Sequence, residues 1–285
     1  MYYIINNEKG RRKLRLTDYH FHTNLSPDAD NSLEEMALTA YNNGLSEICV
    51  TDHCDEGTFT YVCESGRDFS YNEEESLKQY LSISPEIKEK INIKYGVELG
   101  EPCQNLKRAN DLVDNNDFDF IIGSLHNLYN LDDFALMNFN GVDLDKLFQK
   151  YLFELEKHIK WNKFDVLGHF TYPLRYIYRH DASFDIKRYY NDISDLLKTL
   201  ASNGKGIEFN TAGLRFGLKR ELPDEDIIKI FKNAGGEIIT IGSDAHRIGD
   251  MGKNIKDGVL LAKKCGFDYI SIFNKRKPSF EKIDL

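Results

Sequence analysis

An α/β barrel is the fold class this sequence predicts, and three observations carry that expectation. Short apolar runs rich in β-branched and aromatic residues alternate with longer helical-period segments, seven or eight times over. No low-complexity linker or shift of composition divides the series, and 285 residues suffice for one barrel-type domain, expected here to span 1–285. Most of the histidines fall where the strand-like runs end, which in a parallel barrel is the face that carries active sites.

The first strand, Leu14-Arg15-Leu16-Thr17-Asp18, alternates apolar and polar residues and runs into His20-Phe21-His22. Side chains two apart in an extended chain share a face, so His20 and His22 project together, an arrangement that suits one divalent metal. A His-x-His pair alone is equally a product of ordinary packing. Ser32-Leu33-Glu34-Glu35 is a capping-box sequence, Leu33, Met36, Ala37, Ala40 and Tyr41 follow at helical spacing, and Gly44 closes that helix. Ser46 to Thr51 is the second strand, ending at Asp52-His53. A polar loop with Phe59, Tyr61, Phe69 and Tyr71 leads to a helix over 73–89, which Pro85 is placed to break.

The third strand is 92–99, with Glu98 near its end, and a helix over 106–114 leads to the fourth, 118–126, ending at His126. A long helix over 143–160 precedes the fifth strand, 164–169, which ends at His169. Arg175, Tyr176, Tyr178, Arg179 and His180 read as a basic, aromatic loop. A helix ending at Gly204 then leads to the sixth strand, Gly206 to Asn210, and a glycine-bearing loop with Arg215. The helix opened by Pro223-Asp224 leads to the seventh strand, 237–243, and to Asp244-Ala245-His246. A last helix and the apolar segment Tyr269 to Phe273 finish the chain.

Composition narrows the function classes. With 41% hydrophobic and 29% charged residues the chain fits a soluble globular protein, and no apolar run reaches the length of a membrane span. A formal charge of −9 disfavours a nucleic-acid partner held through phosphates. Five cysteines without paired spacing fit reduced thiols, and with no signal-peptide pattern the expected compartment is the cytoplasm. The sequence leaves the oligomeric state open.

Six of the eight histidines (His20, His22, His53, His126, His169 and His246) lie at or just past predicted strand ends, with Glu98 and Asp244 in equivalent places. A structural role would have to hold for each of the six independently, whereas one shared face accounts for all of them. His158 in a helix and His180 in a loop are read as structural or peripheral. This set exceeds what one tetrahedral zinc needs and suggests two or three metals sharing carboxylate bridges. Such a cluster can ionise water and stabilise a phosphoryl group, although clustered metals also hydrolyse amides and lactones.

Six ordered motifs sit at those strand ends: Asp18-Tyr19-His20-Phe21-His22-Thr23, Thr51-Asp52-His53, Gly96-Val97-Glu98, Gly123-Ser124-Leu125-His126, Gly168-His169 and Gly242-Ser243-Asp244-Ala245-His246. On these the chain resembles the polymerase and histidinol phosphatase (PHP) superfamily over nearly its full length. Gly168 to Arg175, Glu208 to Arg215 and Lys275-Arg276-Lys277-Pro278 look most like its monofunctional histidinol-phosphatases. The resemblance implies a distorted (β/α)7 TIM-like barrel with a trinuclear site at the C-terminal ends of the strands. An eighth strand candidate, 269–273, would then fall outside the barrel or complete it irregularly.

By motif position the first metal would take His20, His22, Glu98 and Asp244, and Glu98 would bridge to a second held by His126 and His169. The third would take His53, His246 and the residue eight after His20, a histidine in many relatives but Asp28 in this chain. Aspartate is a sound ligand for zinc, iron or manganese, and Asp28 also reads as a polar residue of the Ser26-Pro27-Asp28 turn. The implied reaction is hydrolysis of L-histidinol phosphate, a step of histidine biosynthesis, by a hydroxide bridging the first two metals. Arg175 and Arg215 match arginines that contact phosphate in the resembled phosphatases, with His126 beside the substrate. Asp244, His246 or a metal-bound water would protonate the leaving group, and Asp52 would orient a ligand histidine. Three alternatives stand beside this reading: a phosphoesterase for another small phosphate ester, a barrel amidohydrolase and a nucleic-acid-processing module. The Thr51-Asp52-His53 and Asp244-Ala245-His246 pairs weigh against the amidohydrolase, and the charge of −9 weighs against the nucleic-acid module.

Overall fold

The computed structural model describes residues 15–57, 69–218 and 220–284. Leu14, Phe59 and Tyr61, named above, lie outside them. The described chain alternates as expected. Strand β1 (Thr17–Asp18), helix α1 (Leu33–Asn42), β2 (Glu47–Val50) and β3 (His53–Asp55) come first. Next are α2 (Glu73–Leu81), α3 (Pro85–Lys90), β4 (Asn92–Gly100), α4 (Leu106–Asn115) and β5 (Phe120–Ser124). Then follow α5 (Leu144–Trp161), β6 (Val166–Leu167), α6 (Leu174–His180), α7 (Tyr190–Ser202), β7 (Gly206–Asn210) and α8 (Ala212–Arg215). The last elements are α9 (Glu225–Asn233), β8 (Ile239–Gly242), α10 (Ile255–Lys264), β9 (Tyr269–Asn274) and β10 (Lys277–Lys282).

Local signals explain the helix boundaries. Ser32 and Glu35 make the reciprocal capping box that starts α1, and Gly44, at φ 83°, takes the left-handed turn after it. Pro85 does divide the expected 73–89 helix: α2 stops at Leu81, and Pro85 is the first residue of α3. Two expectations are corrected. The basic, aromatic stretch around Arg175 is the helix α6, because Leu174 and Ile177, three apart, bury one face of it. Arg215 likewise ends a short helix, α8, instead of lying in a loop.

All neighbouring strands of the main sheet are parallel, in the order β1-β2-β4-β5-β6-β7-β8. Strand β3 continues the line of β2 along β4 after a break at Thr51-Asp52, so seven strand positions circle the barrel. The ring closes through single contacts instead of a full ladder: Tyr19 N–H to Ile241 O at 2.9 Å, His22 N–H to Ala245 O at 2.9 Å, and a Phe21–Ala245 bridge. The register sets His53 directly beside Glu98. Strands β1 and β6 are shorter than expected because the chain leaves the ladder where it delivers histidines to the mouth.

The eighth strand candidate falls outside the ring. Strands β9 and β10 form an antiparallel hairpin, and Phe273 packs on Tyr19 and Phe120 in the lumen with Cys49, Ile122 and Val166. Burying a phenyl ring contributes on the order of 2–3 kcal/mol, so this plug holds the N-terminal end of the barrel shut. Arg276, at the hairpin turn, donates from Nε to Asp165 at 2.6 Å and from its backbone to Asp119 O at 2.9 Å. A larger core of helix and strand faces surrounds the ring. Among the described residues no helix is long and apolar enough to cross a membrane.

Candidate metal centre

Four side chains meet below the barrel mouth: His20 and His22 just after β1, Glu98 on β4 and Asp244 just after β8. The Nε2 atoms of His20 and His22 lie 3.4 and 3.6 Å from Glu98 Oε2, and 3.7 and 3.5 Å from Asp244 Oδ1. Ligands about 2.0–2.2 Å from a tetrahedral ion stand about 3.3–3.6 Å from one another, so the spacing fits one divalent cation. Both Nε2 atoms are buried and have no hydrogen-bond partner among the described residues. Their other ring nitrogens are held, His20 Nδ1 at 2.6 Å by Glu208 Oε1 and His22 Nδ1 at 3.1 Å by Ser26 Oγ. A ring whose Nδ1–H is engaged in this way turns its Nε2 lone pair toward the shared space.

The charges agree with that use. Burial alone would raise the Glu98 carboxyl, but His20, His126 and His53 hold it well below the usual carboxylate range. Asp244 is held low against burial by His20, His22 and His246. Burial, with His246 and His53 nearby, keeps His22 neutral. Asp244 adopts a left-handed backbone, φ 53°, a local strain of the kind that concentrates at functional sites. Gly242 leaves room there, since a Cβ would collide with Glu208 and His20.

Glu98 turns its other oxygen to a second set. Oε1 lies 3.2 Å from His126 Nε2 and 2.8 Å from His169 Nε2, and those nitrogens are 3.3 Å apart. Glu98 thus faces two sets of imidazoles, one through each oxygen. A third set stands nearer the rim, with the Nε2 atoms of His53 and His246 3.5 Å apart. Asp28 Oδ1 lies 3.8 Å from the first of these nitrogens and Asp28 Oδ2 3.3 Å from the second. Asp28 thus sits in its turn and also faces two imidazoles. Against burial, which would raise it, His246 and His53 hold its carboxyl low. Its side chain is 38% exposed while those of His20 and His22 are fully buried, so the third set is the open one.

Two arginines flank the cluster. Arg175 lies 3.8 Å through Nη2 from Asp244 Oδ2, and neither its Nε nor its Nη2 has a hydrogen-bond partner among the described residues. Arg215 donates from Nη2 to Ser243 O at 2.5 Å; its Nε, 3.6 Å from Asp250 Oδ1, and its Nη1 are buried without hydrogen-bond partners among the described residues. The ring of Phe216 carries both guanidinium groups, at 4.7 and 5.8 Å from its centroid. Unused donors on two neighbouring guanidinium groups suit an anion with several oxygens.

Every candidate ligand read from the sequence therefore comes to one mouth, while His158 is buried in α5 and His180 lies at the exposed end of α6. One expected contact is indirect. Asp52 touches no ligand imidazole through a hydrogen bond; it accepts from Thr23 N–H, Thr23 Oγ1 and Ser26 Oγ at 2.6, 2.8 and 2.6 Å. Ser26 then meets His22 Nδ1 and accepts from the His53 N–H at 3.1 Å. Sequence reasoning missed Glu208, Asp18, Asp55 and Glu101. Asp18 accepts from the backbone N–H groups of Ser243, His20 and Gly252, fastening β1 to the Asp244 loop. Asp55 Oδ1 lies 3.4 Å from His126 Nδ1, and Glu101 accepts the His126 N–H at 2.5 Å. Burial and the nearby Asp55 push the Glu101 carboxyl up to about 8. The signal for Asp55 was its position two residues after His53, on the same strand face.

Comparison with known proteins gives three kinds of likeness. The family model described as PHP domain matches residues 18–212. A histidinol-phosphatase of Lactococcus lactis subsp. lactis is 30% identical over 266 residues, covering 93% of this chain and 96% of the relative. A protein of Thermotoga maritima named "Probable histidinol-phosphatase" is 28% identical over 264 residues, covering 92% of this chain and 97% of its own length. Among solved structures, histidinol phosphate phosphatase from Lactococcus lactis subsp. lactis, complexed with zinc, L-histidinol and phosphate, superposes with a TM-score of 0.80. That pair is 28% identical, and the match covers 94% of this chain and 100% of the other.

Proposed function

The chain belongs to the PHP domain family, and on that premise we propose that it is a metal-dependent phosphomonoesterase, one domain over 1–285, hydrolysing L-histidinol phosphate to L-histidinol and phosphate. The observation that carries this reading is the set of converging, partnerless imidazole nitrogens beside two guanidinium groups with donors to spare. His20, His22, Glu98 and Asp244 would hold a first divalent ion, Glu98, His126 and His169 a second, and Asp28, His53 and His246 a third. Such ions, when bound, supply Lewis acidity toward phosphoryl oxygens and lower the pKa of water.

The remaining work falls to the chain. Arg175 through Nε and Nη2, and Arg215 through Nε and Nη1, bind the non-bridging oxygens with donors that have no hydrogen-bond partner among the described residues. Phe216 keeps the two guanidinium planes in place, and Tyr172, edge-on to His126 at 5.3 Å, walls the substrate side of the second set. The leaving alkoxide needs a proton. His246 is the side chain placed to carry it, while Asp244, held as a carboxylate, lies 3.6 Å from its Nδ1. The described cysteines are all unpaired, which supports a reducing compartment and the cytoplasmic placement proposed with this function.

The test is phosphate release by metal-loaded protein, with L-histidinol phosphate compared against a panel of small phosphate monoesters. A clear preference for L-histidinol phosphate supports the full reading. Equal turnover of the panel would replace the substrate but keep the chemistry, and no phosphate release at all would overturn both.

A further inference from the structure

We infer that Glu208 is a positioning residue that ties the first two metal sites together, one carboxyl group orienting a ligand of each. The inference rests on the proposed reading that the cluster holds divalent ions. Glu208 is completely buried on β7. Its Oε1 lies 2.6 Å from His20 Nδ1, which fixes a ring of the first set. Its Oε2 accepts the backbone N–H of His169 at 2.7 Å, which fixes a ligand of the second. That second bond falls on a peptide at φ 20°, a conformation that needs holding.

Asn210, two residues on and facing the same way, extends the strut. Its Nδ2 donates to Glu208 Oε2 at 3.2 Å and to Asp244 Oδ2 at 3.3 Å, and its Oδ1 accepts the Ala212 N–H at the start of α8. One strand therefore reaches His20, His169, Asp244 and the helix that carries Arg215.

Only a carboxylate can fill this place. Both of its oxygens accept, and the donors facing it, the His20 ring N–H at Oε1 and the His169 amide and Asn210 Nδ2 at Oε2, need an acceptor at each end. A glutamine of the same shape has one accepting end. If its NH2 meets His20, the imidazole is driven to the tautomer with hydrogen on Nε2, which has no lone pair for a metal. If its NH2 meets His169 instead, two donors collide at the strained peptide. Either way a ligand is lost from its place.

The experiment measures Zn2+ binding by Glu208→Gln, using stoichiometry after dialysis and competition with a chromophoric chelator, beside the electronic spectrum of the Co2+-loaded protein. Removal of groups that orient metal ligands typically weakens binding about 10- to 100-fold. We expect a loss of that size in Glu208→Gln, an altered Co2+ spectrum, and unfolding by urea close to that of the wild type without metal. Wild-type Zn2+ affinity and an unchanged Co2+ spectrum in Glu208→Gln would overturn the inference. Should that variant not fold, Glu208→Asp takes its place: its carboxyl still accepts twice but is too short to reach both donors, so the same loss is expected and wild-type affinity overturns. A wild-type protein that binds no Zn2+ would instead refute the metal reading itself, a separate outcome.

Discussion

The two ends of the barrel bury carboxylates at similar depth and settle them in opposite ways. At the closed end Glu47 accepts from Tyr19 Oη at 2.5 Å and from Asn92 Nδ2 at 2.5 Å. Asp119 accepts from the backbone N–H groups of Lys275 and Tyr95, and Asp165 from those of Ile121 and the Arg276 side chain. At the mouth, Glu98 and Asp244 face imidazole nitrogens that have no hydrogen-bond partner. Burying an ion costs several kcal/mol unless it is paired. The closed end meets that cost with protein groups; at the mouth Ser124 Oγ and Asn210 Nδ2 meet part of it, and the oxygens facing His20 and His22 Nε2 are left to a partner from outside. Unpaired buried polarity thus separates a binding site from a structural network within one fold.

Substitutions can break or sharpen that contrast. The largest effect on chemistry should come from His22→Asn, which ought to lower turnover more than about a hundredfold and deplete bound metal. The metal-free variant should unfold in urea much like the metal-free wild type; near-normal turnover would falsify the ligand assignment. Arg276→Ala is its counterpart at the closed end. It leaves Asp165 buried without its ion pair, so a stability loss of roughly 2–4 kcal/mol in urea is expected, with metal content per folded chain unchanged. Loss of metal in that variant would mean the two ends are not independent.

Smaller effects should stay within the mouth. Arg215→Ala removes a charge-assisted contact and should reduce kcat/KM about 10- to 100-fold without changing metal content. An unchanged kcat/KM would show that this side chain does not touch phosphate. Phe216→Leu keeps an apolar side chain but removes the ring under two guanidinium groups, so KM should rise about two- to fivefold. Recovery in Phe216→Tyr would assign the effect to the ring face, whereas equal values for the Leu and Tyr variants would assign it to packing.

How far these features were legible in the sequence follows from their period. His20 and His22, two apart at a strand end, had to share a face, and recurrence of that placement at His53, His126, His169 and His246 made the cluster readable. Asp28 was ambiguous because a turn aspartate and a ligand aspartate have the same local sequence; only the positions of His53 and His246 across the mouth decide which atoms it faces. Glu208 carried a signal that went unused, since its apolar neighbours Ile207 and Phe209 mark it as one face of a strand. What no local pattern could supply was that this face points at His20, 188 residues earlier. The basic stretch at Arg175 was misread because its aromatics and charges hide the buried pair Leu174 and Ile177.

The hairpin that plugs the closed end also ties the last stretch of the chain to the segment after β1. Phe273 gives its backbone N–H to Tyr19 Oη, at 2.8 Å, across 254 residues of chain. During synthesis from the N-terminus, Tyr19 can meet Glu47 early but must wait for almost the whole protein before Phe273 exists. Contacts of such long sequence separation are slow to form, because the chain entropy of a large loop is lost before any contact compensates it. The ring therefore closes late, because β8, which meets the segment after β1, lies late in the chain. His20 and His22 are neighbours from the start, and Asp244 joins them only when most of the chain has been made.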